Sequence, residues 1–218
     1  HRDLHSFPTR RSSDLIGEHT DYNDGFVLPI AIDRQVLAAA APRNDRVLRF
    51  RSLQEASEAQ VSLDEPLAPG KPAWANYCIG VAAGLVQKGV ALVGADVLLD
   101  SDVPVGAGLS SSAALEVATA KVLLATAGTP DAVTGRDLAL LCQAAEHTFA
   151  GAPCGIMDQS ISVLGERGHA LLLDTRDGST RQIPFDRPDA VLLVCDTRVK
   201  HRSEERRVGK ECRCRGSP

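Results

Sequence analysis

Two stretches of this 218-residue chain carry side chains whose types and spacing can do chemistry. In Ile16–Asp33, IGEHTDYNDGFVLPIAID, Glu18, His19 and Asp21 fall within four residues, ahead of the turn Asn23-Asp24-Gly25 and an apolar run. Two carboxylates and an imidazole on a short loop accept and donate several hydrogen bonds at once, as recognition of a polyhydroxylated sugar requires. A solvated acidic loop before a strand has the same composition. In Val103–Ala118, VPVGAGLSSSAALEVA, a Gly-rich turn runs through three serines into a helix. Gly106 and Gly108 lack a Cβ, so the backbone can turn tightly and bring its N–H groups against a ligand. A helix N-terminus offers unpaired N–H groups and the positive end of the dipole, which suits a phosphate. The serine hydroxyls can cap the helix or reach a metal carried by that phosphate.

Two further carboxylates stand in apolar company. Glu146 sits near the end of a helical stretch, in Gln143-Ala-Ala-Glu146-His147, and Asp158 sits in Gly155-Ile-Met-Asp158-Gln159, in or near the first turn of the next helix. There the dipole and free N–H groups favour the ionised carboxylate, which can accept or orient the proton of an attacking hydroxyl. Surface solvation is the ordinary role of a Glu at the first of these positions. Trp74 and Tyr77 are three apart and share one helical face.

The elements that must position these residues follow from periodicity. Phe26–Ile32 and Gln35–Ala41 are apolar runs separated by Asp33-Arg34 and read as paired strands, with Val47–Leu53 a third. Gln60–Lys71, rich in Pro and Gly, reads as a loop. Pro72–Lys88 has helical spacing, with Gly89 after its end. Ala95–Asp100 is a strand leading into the Gly-rich turn. Ser110–Ala127, Thr134–Ala150 and Gly155–Leu164 read as helices; Ala170–Leu173, Thr180–Ile183 and Ala190–Cys195 read as strands. This mixture gives an α+β fold, a mixed sheet with helices on one face.

Composition sets the class: 44% hydrophobic and 24% charged residues suffice for one domain with a sizeable core. No apolar run approaches the roughly 20 residues of a membrane span, and no secretory pattern opens the chain. Cys78, Cys142, Cys154 and Cys195 lie scattered in apolar contexts and read as reduced thiols of a cytoplasmic protein. Cys212-Arg213-Cys214 is too tight for a metal pair, and no second pair exists. The two ends differ from the rest. Residues 1–15 and 202–218 are rich in Arg, Ser and charge and together carry net +4, whereas residues 16–201 carry 15 Lys and Arg against 23 Asp and Glu, net −8. A basic tail can touch nucleic acid. Both ends resemble translated sequencing-adapter sequence instead, so the expected division is a foreign tail at 1–15, one domain at 16–201 and a foreign tail at 202–218. No nucleic-acid or membrane partner is expected.

GEHTDYNDG resembles the sugar-binding signature of galactokinases, and VPVGAGLSSSAALEVA resembles the ATP-phosphate motif of the wider GHMP kinase superfamily. WANYCIG at Trp74–Gly80 and AEHTFAGAPCGIMDQSISVLGERGHALLLD at Ala145–Asp174 are also similar to galactokinases, in the family's order. The likeness covers about Ile16–His201. It implies a GHMP kinase N-terminal domain, of the type named after ribosomal protein S5 domain 2, and ATP-dependent phosphorylation of galactose at its anomeric hydroxyl. It implies that Glu18, His19, Asp21, Gly155 and Asp158 bind the sugar, with Asp158 catalytic. Trp74 and Tyr77 then border the adenine; core packing is their alternative. Gly106, Ala107, Gly108, Leu109, Ser110, Ser111, Ser112 and Ala113 cradle the ATP phosphates, and Ser112 and Glu146 hold Mg²⁺.

The resemblance also implies a departure. Galactokinases carry an Arg in a Gly-Arg-Val-Asn-Leu run before the Ile-Gly-Glu-His signature; in this register Ser12 takes its place. The chain ends near the midpoint of a galactokinase, without the third Gly-rich superfamily motif and a sugar-contacting Tyr. It is therefore expected to be the N-terminal half of a monomeric cytoplasmic enzyme, and inactive by itself. Alternatives on the same fold are a non-catalytic sensor of galactose and ATP, another GHMP kinase, or a kinase for an analogue such as N-acetylgalactosamine. A Walker-type kinase is excluded because no Gly-x-x-x-x-Gly-Lys-Ser/Thr occurs.

Overall fold

The computed structural model describes residues 5–17, 19–102, 110–185, 189 and 192. Seven strands form one sheet: β1 (His5–Ile16), β2 (Phe26–Pro42), β3 (Val47–Ser52), β4 (Ala59–Ser62), β5 (Ala95–Ser101), β6 (His169–Asp174) and β7 (Thr180–Pro184). Four α-helices accompany it: α1 (Ala75–Gln87), α2 (Ser111–Thr126), α3 (Gly135–Ala145) and α4 (Met157–Leu164).

The long strand β2 organises the sheet. β1 runs antiparallel along one edge, from His5 opposite Ala40 to Ile16 opposite Leu28. The other edge is shared: β5 pairs with Val36–Pro42 and β6 with Phe26–Ile30, both antiparallel. β3 joins β5 in parallel, so the sheet is mixed as expected, and β4 and β7 extend it at either side. Two expectations are corrected here. Asp33-Arg34 does not separate two strands; both residues are exposed and the chain stays extended through them. Gln60–Lys71 is not all loop, because β4 forms there against β3.

Residues 1–15 were expected to be a foreign tail excluded from the fold. Residues 5–16 form β1, with Thr9 buried. Ladder hydrogen bonds join main-chain groups and do not read side chains, so a segment of Arg and Ser can fill a strand position. The strand expected at Ala190–Cys195 and the tail at 202–218 lie outside the described residues.

The helices pack on the sheet through alternate strand residues. Val36, Ala38 and Ala40 of β2, Val97 and Leu99 of β5 and Leu48 and Phe50 of β3 are buried, whereas Leu37 and Leu98 point to the open face. That period of two is the signature of a sheet covered on one side. α2 is apolar around most of its circumference and lies centrally, against β1, β2 and the other three helices. α1 approaches α3 through Gly80 and Gly84; a Cβ at Gly80 would stand 2.9 Å from Ala145 and Phe149. No helix among the described residues is long and apolar enough to cross a membrane.

Candidate active site

The site is assembled where α2, the end of α3 and the start of α4 meet the loop after β1. Residues 103–109, including Gly106, Ala107, Gly108 and Leu109, lie outside the described residues. Ser110 follows them with φ +51° and makes no side-chain cap on α2. The expected capping by serine therefore does not occur at Ser110. Ser111 and Ser112 are half-buried in the first turn and Ala113 is buried behind them. The Ser112 hydroxyl is hydrogen-bonded to the Glu146 carboxylate. One turn further along α2, Glu116 is fully buried among Ala and Val.

Thr134–Ala150 does not run on as one α-helix. α3 stops at Ala145, and Glu146–Ala150 form a π turn that ends at Gly151, φ +67°. Such turns insert a residue into the helical ladder and re-aim the side chains around it, often at functional sites. Here the turn carries Glu146 inward, where it is 3% exposed. Its Oε2 accepts from Gln159 Nε2 at 2.8 Å and from Cys154 Sγ at 3.4 Å. Burial pushes this carboxyl up to about 7, against the pull of its Ser112, Cys154 and Gln159 hydrogen bonds. Burial likewise holds Glu116 well above the usual carboxylate range, and the nearby Glu146 charge adds to it. The loop after the turn is pinned from the same segment. His147 Nε2 accepts the Cys154 N–H at 2.9 Å, and Gln143 Nε2 donates to the Cys154 carbonyl at 3.1 Å.

Asp158 is half-buried in the first turn of α4, as its sequence position implied. Its charge is felt by Asp21, Glu146 and Glu116. Asp21 comes from a tight loop. Thr20 Oγ1 donates to the carbonyls of Gly17 at 2.6 Å and Phe26 at 2.8 Å, and Asn23 Nδ2 donates to the His19 carbonyl at 2.7 Å. Half-buried Asp21 accepts the backbone N–H of Met157 at the start of α4; burial raises its pKa and this bond opposes the rise. Gly155 makes that approach possible, since a Cβ there would overlap the Asp21 carboxylate. His19, at φ +64°, is exposed and hydrogen-bonds the Tyr22 hydroxyl. Glu18 lies outside the described residues.

Ser112, Glu146, Asp158, Asp21 and Gly155 are thus brought to one region. Trp74, before α1, packs its ring on the main core, where its indole N–H is buried with no hydrogen-bond partner, and Tyr77 in the first turn is half-buried. Glu116 and Gln159 belong to the same cluster and were missed in the sequence. The available signal was a single Glu in the otherwise apolar face of α2, four residues after Ser112. Among the described residues no three His, Cys, Asp or Glu side chains group as metal ligands. A carboxylate joined to a hydroxyl is a donor set suited to Mg²⁺ that keeps waters and substrate phosphates as its remaining ligands.

The description "GHMP kinases N terminal domain" fits residues 76–166, and "galactokinase galactose-binding signature" fits residues 12–42. The chain has the fold of a GHMP kinase N-terminal domain and resembles galactokinases. Galactokinase of Chloroflexus aggregans is 53% identical over 205 residues, covering 90% of this chain and 51% of the relative. Galactokinase of Homo sapiens is 43% identical over 194 residues, covering 86% and 48%. A crystal structure of Lactococcus lactis galactokinase complexed with galactose superposes with a TM-score of 0.78 at 31% identity, over 84% of this chain and 47% of that one. Methanococcus jannaschii mevalonate kinase, at 18% identity and a TM-score of 0.68, shares the fold. The chain spans about half the length of the curated relatives it matches.

Proposed function

We propose that the protein to which this domain belongs transfers the γ-phosphoryl group of ATP to the anomeric hydroxyl of galactose. The observation that carries this reading is the single region holding Asp21 and Asp158 on one side and Ser112 and Glu146 on the other. The first pair suits sugar hydroxyls. The second suits a divalent cation carried by nucleotide phosphates. The 50%-identical galactokinases and the galactose complex of the Lactococcus lactis enzyme support galactose as the sugar.

Phosphoryl transfer needs positioning and charge stabilisation more than covalent chemistry. Asp21, Glu18 and His19 hold the sugar hydroxyls, with Gly155 leaving room for Asp21. Asp158 holds the attacking hydroxyl and accepts or orients its proton. The N-terminal N–H groups of α2 and the 106–113 run would bind the ATP phosphates. Ser112 and Glu146 would hold Mg²⁺, which when bound would neutralise charge on the phosphate oxygens. Trp74 and Tyr77 border the adenine. The Arg- and Ser-rich ends are read as foreign sequence, with Ser12 where galactokinases carry Arg. The whole protein is read as cytoplasmic and monomeric.

The test is an assay of the complete protein, recovered from the reading frame around residues 16–201, for galactose 1-phosphate formed from ATP, Mg²⁺ and galactose. The expected outcome is turnover that Asp158→Ala abolishes. Turnover of mevalonate or N-acetylgalactosamine in preference to galactose would overturn the substrate assignment.

A further inference from the structure

Gln159 lies next to Asp158 on α4, yet it is fully buried. Its amide nitrogen bridges two carboxyls from two other elements: Glu146 Oε2 in the π turn at 2.8 Å and Glu116 Oε2 on α2 at 3.3 Å. An amide NH₂ has two hydrogens, so both bonds form at once. With Oε2 of Glu146 engaged by Gln159 and by the Cys154 thiol, the carboxylate cannot rotate about its terminal bond without breaking them. Ser112 fixes the same group from α2. Neither Glu116 nor Gln159 has a part in the phosphoryl-transfer scheme above.

Resting on the reading of Glu146 as a metal ligand, we propose that Gln159 is a positioning residue that fixes the Glu146 carboxylate toward a nucleotide-borne divalent cation, with Glu116 as its second anchor. Partners of this kind, one bond removed from a metal, orient the ligand, and their loss typically weakens metal affinity about 10- to 100-fold. The arrangement places the clamp on the cation's ligand and the sugar-facing carboxylate on consecutive residues of one helix turn. A shift of α4 therefore moves both.

The test measures Mn²⁺ binding to the complete protein with adenylyl imidodiphosphate, a non-transferring ATP analogue, by electron paramagnetic resonance. Gln159→Met keeps the length of the side chain and removes its donor. The expected result is Mn²⁺ affinity about tenfold or more weaker, with galactose affinity by calorimetry within twofold of wild type. Unchanged Mn²⁺ affinity in Gln159→Met overturns the proposal. If Gln159→Met does not fold, judged by circular dichroism, Glu116→Met and Glu116→Gln decide. Glu116→Gln keeps an acceptor for the amide and should keep the affinity, whereas Glu116→Met should weaken it; equal affinities in the two overturn the proposal. Glu146→Gln, measured in parallel, separates the two levels. Unchanged binding there removes Glu146 as a ligand, and strong loss there with none in Gln159→Met removes only the positioning role.

Discussion

At the residue scale the site combines carboxyls that burial treats differently. Glu146 is raised to about 7 from an ordinary 4.5, so in the absence of metal it keeps its proton in the fold at pH values where the unfolded chain has lost it. The native state then binds more protons, and stability falls as pH rises between about 4.5 and 7. The shift corresponds to about 3 kcal/mol. Glu116 and Asp21 are also raised, and act in the same direction. Asp45, Asp96, Asp174 and Asp177 are held low and act only at more acid pH. Metal-free protein should therefore melt at lower temperature at pH 8 than at pH 5, and Glu146→Gln should reduce that difference; melts scanned over pH test this, and a slope of opposite sign would refute it. The same substitution should weaken the Mg²⁺ dependence of turnover, because an amide is a poor ligand for a hard cation. Asp21→Ala removes a half-buried acceptor and leaves sugar donors unpaired, at a cost on the order of 1–3 kcal/mol in galactose affinity. Calorimetry giving equal affinity for wild type and Asp21→Ala would remove Asp21 from the sugar site.

At the element scale the placing of the Glu146 carboxylate depends on a contact between two helices. The π turn that carries Glu146 begins where α3 meets α1, and Gly80 is the residue that lets them meet. Gly80→Ala would place a methyl against Ala145 and Phe149, one residue before and three after Glu146. Overpacking of this kind costs typically about 1–3 kcal/mol. The expected outcome is a lower melting temperature together with a weaker Mg²⁺ response; wild-type values for both would show that the contact relaxes freely. Much of this framework was legible in the sequence. α1, α2, β3, β5 and β6 lie within one to three residues of their expected bounds, because each has a clear period or a breaker at its end. The π turn was not legible, since Glu146–Ala150 continues the helical pattern of α3 and only the tertiary contact decides its geometry. β2 was divided in error because an exposed Asp-Arg pair reads as a turn, whereas the strand stays extended through it, across a register shift in its pairing with β1 between Arg10 and Ser12. Asp21, Glu146 and Asp158 were singled out because carboxylates are conspicuous beside apolar runs and in a recognisable motif. Gln159 was not, since a glutamine at the third residue of a helix has no sequence signal for full burial.

At the scale of the molecule, the domain has one face of its sheet covered by helices and one face open, with Leu37 and Leu98 exposed on it. It carries the residues read as the sugar-hydroxyl ligands and the metal ligands, yet spans about half the length of the galactokinases it resembles. Ser12, which the resemblance puts where galactokinases carry Arg, sits in β1 opposite Ala31. Loss of one preorganised group that stabilises developing charge costs about two to three powers of ten in rate. A serine hydroxyl cannot replace a guanidinium there, because it carries no charge and reaches less far. This 218-residue chain by itself is therefore expected to form no measurable galactose 1-phosphate when given ATP, Mg²⁺ and galactose in excess. Ser12→Arg alone is expected to leave it inactive, because the chain still spans about half the length of its relatives; the same change within a chain of full relative length should raise the rate. Steady product formation by the purified chain, abolished by Asp158→Ala, would show that this 218-residue chain suffices for catalysis.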